Sequence, residues 1–144
     1  MLDTERVERK VLYLIEGSGY IFRAFYAIRP LSSPSGEPTN ASYGFATMID
    51  KVLREETPAY LAIAFDTGGP NFRTEMYSEY KAHRPPLPED LRPQIPRIHA
   101  IAEAFGMKNF AVRGVEADDV IATLAHAARD SGFDVCIITS DKDL

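Results

Sequence analysis

Apolar residues fall into short unbroken runs at four places in the chain and recur at helical spacing at three others. The runs are Val11 to Ile15, Tyr60 to Phe65, Phe110 to Val112 and Val135 to Thr139. Each is short for a helix and reads as a strand buried on both faces. The first ends in Glu16-Gly17-Ser18-Gly19, a turn signal, the second in Asp66-Thr67-Gly68-Gly69-Pro70 and the last in Ser140-Asp141-Lys142-Asp143. Helical spacing runs from Asn40 to Glu55 through Tyr43, Ala46, Met48, Ile49, Val52 and Leu53, with Thr39 or Asn40 as the cap and Pro58 beyond the end. Ile95 to Phe105 is a second helix, stopped by Gly106. Asp118 to Asp130 is a third, with Val120, Ile121, Leu124, Ala125 and Ala128 on one face.

Strands alternating with helices predict an α/β fold: a mostly parallel central sheet, Rossmann-like, with helices on both faces. Residues 1–10 are charged and polar and read as an N-terminal tail, with one domain over 11–144. Phe72 to Ala82 mixes aromatic and charged residues, and His83 to Pro96 holds five prolines. We read this stretch as an insertion within the domain, since 144 residues suit a single domain. There is no internal repeat and no low-complexity tract.

Composition narrows the class. At 45% hydrophobic and 26% charged residues, the chain can bury a core and is not an acidic disordered segment. Its one cysteine, Cys136, lies in an apolar run and reads as a small buried hydrophobe, which excludes a disulfide framework or a cysteine metal site. The first apolar run is too short for a signal-peptide core or a membrane span, so the expectation is a soluble, cytoplasmic, monomeric protein with no membrane partner. A net charge of −5 argues at first against nucleic acid. The excess, however, sits between Gly114 and Leu144, where seven acids face only Arg129 and Lys142. A bound cation would neutralise such a cluster.

Those acids carry the candidate chemistry. Glu16, Asp66 and Asp141 each follow a strand, and Asp143 follows Asp141 by two positions. In open parallel sheets ligands bind outside the carboxyl ends of the strands, so these side chains should converge on one rim. Glu116-Ala117-Asp118-Asp119 adds acids at a helix start, where negative charge is favoured. One acid at a strand end is ordinarily a turn former or a cap. Repetition at successive strand ends points instead to a hard divalent cation, and oxygen-only ligation suits Mg²⁺ or Mn²⁺.

The middle of the chain interleaves aromatics with cations at Phe72-Arg73, Tyr80-Lys81 and Arg84. Aromatics can stack on unpaired bases and cations can hold phosphates. Acids nearly balance the cations there, so a solvated helical face explains the composition equally well.

Seven local patterns, in order, resemble the 5′-nuclease family of exonucleases and flap endonucleases. They are Leu14-Ile15-Glu16-Gly17-Ser18, Tyr43-Gly44-Phe45, Ala64-Phe65-Asp66, Phe72-Arg73, Tyr80-Lys81-Ala82-His83-Arg84, Gly114-Val115-Glu116-Ala117-Asp118-Asp119 and Thr139-Ser140-Asp141-Lys142-Asp143-Leu144. The last two are the most diagnostic. Glu79-Tyr80-Lys81-Ala82-His83-Arg84 and Arg92-Pro93-Gln94-Ile95-Pro96 resemble the N-terminal 5′-3′ exonuclease domain of bacterial DNA polymerase I. The resemblance covers the chain from about Val11 to its end. It implies a PIN-like 5′-nuclease core with a helical arch inserted around residues 71–96. It implies a two-metal Mg²⁺ or Mn²⁺ site drawing on Glu16, Asp66, Glu116, Asp118, Asp119, Asp141 and Asp143. It implies catalytic cations Lys81 and Arg84 near the scissile phosphate, and DNA contacts from Arg73, Tyr80, Lys81 and Arg84. The reaction would be hydrolysis of DNA phosphodiesters at 5′ ends or 5′ flaps, in replication and repair, alongside a fused polymerase domain.

Two departures stand out. Glu16 occupies a position where the family has aspartate. The sequence also stops just after Asp141-Lys142-Asp143, before further metal-site aspartates and the helix–hairpin–helix that grips duplex DNA. The expectation is therefore a fragment or a truncated gene product with part of the second metal site absent. The alternatives are a DNA-binding or structural remnant that does not cut, and a PIN-like RNA nuclease.

Overall fold

A computed structural model describes residues 9–67 and 87–140. Four parallel strands form one sheet in the order β3-β2-β1-β4: β1 Val11–Glu16, β2 Tyr60–Ala64, β3 Lys108–Phe110 and β4 Asp134–Ile138. The helices are α1 Gly17–Ala27, α2 Asn40–Glu56, α3 Ile95–Ala104 and α4 Ala117–Asp130, with a 3₁₀ turn at Arg92–Gln94.

Successive strand side chains point to opposite faces, and this alternation divides the core. Ile15, Ile63 and Phe65 face α1, α2 and α3, where they meet Ile21, Ala24, Phe45, Ile49, Ile98 and Ala102. Leu14, Ala62 and Ala64 face the other way and meet Ala117, Val120 and Ile121 of α4. Helices thus cover both faces, as the apolar runs imply. The chain order moves outward from β1 to β3 and then returns to β4 on the far side of β1. The topological switch point therefore lies between β1 and β4, and in such sheets ligands bind there, outside the carboxyl ends.

The structure corrects several expectations. Glu16-Gly17-Ser18-Gly19 is not a turn: α1 starts at Gly17 directly from β1. The short third strand is Lys108–Phe110, ending where the sequence predicts it to begin. Thr39 occupies the cap position of α2, but its side chain makes no capping bond, and Asn40 bonds to the end of α1 instead. Within 87–96, expected in the arch, Leu91 and Gln94 are buried and Leu87 and Ile95 pack against the core, while Glu89, Asp90, Arg92, Pro93 and Pro96 are exposed. Cys136 is half-buried on the edge strand rather than sealed in the core. Gly106, at φ +85°, ends α3 as expected, in a left-handed conformation that glycine adopts without strain.

Candidate active site

The carboxyl ends of β1 and β2 and the start of α4 are tied together by hydrogen bonds. Glu16 closes β1 and caps α1: its Oε1 accepts the Ser18 N–H and its Oε2 the Gly19 N–H, both at 2.9 Å. Ser18 Oγ accepts the Asp66 N–H at 2.8 Å. Asp66 Oδ1 accepts the Ala117 N–H at 2.7 Å. The first turn of α4 carries Asp118 and Asp119, with Glu116 at its cap position. Five of the seven predicted metal-site acids are thus placed on this frame: Glu16, Asp66, Glu116, Asp118 and Asp119. Asp141 and Asp143 lie outside the described residues, as do Arg73, Tyr80, Lys81 and Arg84. Among the described residues, no three of His, Cys, Asp or Glu converge tightly enough to hold a metal ion.

The switch point is closely packed. A Cβ on Gly19 would overlap Ser140 Oγ and stand 2.8 Å from Glu16 Oε2. Glycine therefore lets the first turn of α1 approach the end of β4, which leads on to Asp141.

Glu16 is buried, at 5% exposure. Its pKa is pushed from 4.5 to about 7. Burial is the largest cause, and the negative charges of Asp66 and Asp118 add to it. The two backbone N–H donors pull the other way without prevailing. A proton or a cation at this rim relieves the same repulsion.

Ser18 escapes a reading of acids and cations alone. The helical spacing of Tyr20, Ile21, Ala24, Phe25 and Ile28 was the signal for α1, and recognising it places Ser18 in a first turn facing Asp66.

A family model described as the 5′-3′ exonuclease, N-terminal resolvase-like domain, matches residues 11–144. The chain belongs to that family. It is 43% identical over 135 residues to a 5′-3′ exonuclease of Aquifex aeolicus, covering 94% of this chain and 47% of that protein. It is 44% identical over 133 residues to DNA polymerase I of Pseudomonas aeruginosa, covering 92% of this chain and 15% of that one. The chain thus spans under half of these relatives. The fold also matches bacteriophage T5 5′-exonuclease with bound zinc, at 22% identity and a TM-score of 0.64, covering 93% of this chain and 50% of that one. A T5 flap endonuclease pseudo-enzyme–product complex with DNA and metal ions aligns at 24% identity and a TM-score of 0.62, covering 92% of this chain and 50% of that one.

Proposed function

We propose that this chain supplies the metal-binding half of a 5′-3′ exonuclease or flap endonuclease, hydrolysing DNA phosphodiesters at 5′ ends or flaps in replication and repair. One observation carries the reading: Glu16, Ser18, Asp66 and Ala117 link two strand ends and a helix start into one acidic rim beside the switch point. The donor set consists of oxygens, and the pKa of Glu16 is raised mainly by burial, with the charges of Asp66 and Asp118 adding a repulsion that a cation would relieve. Those features fit Mg²⁺ or Mn²⁺. Asp66, Glu116, Asp118 and Asp119, together with Glu16, Asp141 and Asp143, would hold it. When bound, such ions activate water and neutralise charge on the phosphate. Ser18 orients the Asp66 peptide, and Asp66 in turn fixes the first turn of α4. From the family pattern, Lys81 and Arg84 would stabilise the reacting phosphate, with Arg73 and Tyr80 contacting the strand. A fused polymerase, a monomeric state and a cytoplasmic location belong to the same reading. No helix among the described residues is long and apolar enough to cross a membrane.

A second reading, binding without cleavage, is favoured by the use of both Glu16 oxygens in capping α1. Incubation with a labelled 5′-flap DNA and Mn²⁺ or Mg²⁺, against EDTA and a single-stranded RNA control, tests both. Metal-dependent flap cleavage supports the nuclease. Tight binding without product supports the remnant, and preference for RNA overturns the DNA assignment.

A further inference from the structure

Gln94, within the Arg-Pro-Gln-Ile-Pro stretch, is as buried as the apolar core, at 1% exposure. Its carboxamide is fully engaged. Oε1 accepts the Ser42 N–H at 2.9 Å, and Nε2 donates to Asn40 Oδ1 at 3.0 Å and to the Asp90 carbonyl at 2.8 Å. The reverse amide orientation would set a donor against the Ser42 N–H, so the network fixes this one. Asn40, also buried, donates from Nδ2 to the Phe25 and Ile28 carbonyls at 2.9 and 3.2 Å. One clasp thus joins the end of α1, the first turn of α2 and the segment leading into α3.

Its place in the fold gives it a consequence. The strands are parallel, so α2 and α3, which precede β2 and β3, run back across the sheet and begin at its carboxyl end. The clasp therefore lies at the end of the molecule that carries Glu16 and Asp66. Leu87, seven residues before Gln94, packs against the core beside this clasp. Apolar packing would join helices at less desolvation cost, whereas a saturated buried polar network specifies one geometry.

We propose that Gln94, through Asn40, is a positioning residue that sets the geometry of α1, α2 and the Leu87–Gln94 segment for holding a 5′-flap DNA over the acidic rim. This rests on the nuclease reading above. It is tested with Gln94→Met, Asn40→Ala and the double variant in the full chain. Melting curves report folding, Mn²⁺ calorimetry reports the carboxylates, and fluorescence anisotropy without added metal reports affinity for a labelled 5′-flap DNA. The expected result is native circular dichroism, a melting temperature lowered by several degrees and unchanged Mn²⁺ affinity. Flap affinity falls about tenfold. The double variant binds no more weakly than the worse single, because the two side chains act as a unit. Should Gln94→Met not fold, Asn40→Ala carries the same test, since it leaves the Ser42 cap in place. Folded variants that bind flap DNA like the wild type overturn the proposal and leave the nuclease reading intact. A wild-type chain that binds no flap DNA overturns both.

Discussion

Asp66 Oδ1 accepts the Ala117 N–H at 2.7 Å, so the carboxylate after β2 caps a helix that begins 51 positions later. Glu116 occupies the cap position of α4, yet its own side chain makes no capping bond. The same arrangement recurs at α2, where Gln94 rather than Thr39 accepts a first-turn N–H. Both caps are supplied across the fold, so the starts of α2 and α4 are registered against distant segments.

Asp66 therefore has two separable roles. Asp66→Asn keeps an oxygen for the Ala117 N–H but removes the charge. It should melt close to the wild type while losing most Mn²⁺ affinity. Asp66→Ala removes both and should cost about 1 kcal/mol of stability as well, a typical cap loss. Thermal melts and Mn²⁺ titrations of the two variants check this. Equal melting temperatures for both would mean that the cap contributes nothing.

The raised pKa of Glu16 sets the pH dependence of the metal-free chain. Between pH 4.5 and about 7 the folded state binds more protons than the unfolded state. Stability from this group is full below 4.5 and is lost as pH rises through about 7. The loss is on the order of a few kcal/mol. Denaturant unfolding in EDTA should show stability falling across that window, and Glu16→Gln should flatten the fall. Half-buried His99, whose pKa burial lowers, acts in the opposite sense below pH 6.5, so the comparison with Glu16→Gln is the test: a profile that this variant leaves unchanged contradicts the assignment.

Close packing makes a prediction that runs against helix propensity. Replacing glycine by alanine inside a helix ordinarily stabilises it by about 1 kcal/mol. At Gly44 of α2, however, a Cβ would stand 2.7 Å from Ile28 Cδ1, 2.9 Å from Ala24 Cβ and 3.3 Å from Ala24 Cα. Neither the Ala24 methyl nor its backbone can rotate away. Gly44→Ala should therefore lower stability by about 1–3 kcal/mol, the usual cost of overpacking. Chemical denaturation gives the number, and a more stable variant would show that α1 and α2 separate easily.

What the sequence revealed follows from what each signal encodes. Val11 to Ile15 and Tyr60 to Phe65 are legible because strands buried on both faces are apolar at every position. The placement of Glu16, Asp66 and Glu116 at one end follows from parallel topology alone. Helix α1 is hidden in the sequence because Gly17 and Gly19 occupy its first turn, where glycine serves close approach, Gly17 to Ile63 and Phe65 and Gly19 to Ser140, rather than a bend. The third strand was displaced because Lys108 and Asn109 are polar in a three-residue edge strand, which needs no apolar run. Gln94 is silent in the sequence, and Asn40 reads there only as a helix cap, because a polar residue looks solvated or local until a partner more than fifty positions away is known.

Glu16 is the most informative position to change, because the family resemblance places aspartate there. The usual capping residues are Ser, Thr, Asp and Asn, whose short side chains reach the N–H groups of the first turn. Glu16 does this with one methylene more, and both its oxygens are committed to Ser18 and Gly19. Glu16→Asp should keep the cap, since aspartate meets the same donors from a shorter reach. It should also lower the pKa, because aspartate ionises more readily to begin with. A carboxylate that holds less of its proton at neutral pH has less to release when a cation binds. The expected outcome is an unchanged or higher melting temperature and tighter Mn²⁺ binding at pH 7, with the gain shrinking above pH 8, where Glu16 is also ionised. Calorimetry at both pH values measures the affinities. Weaker binding by the aspartate variant at both would mean that the longer side chain is already placed for the ion. Equal binding at both would mean that Glu16 serves α1 alone and takes no part in holding metal.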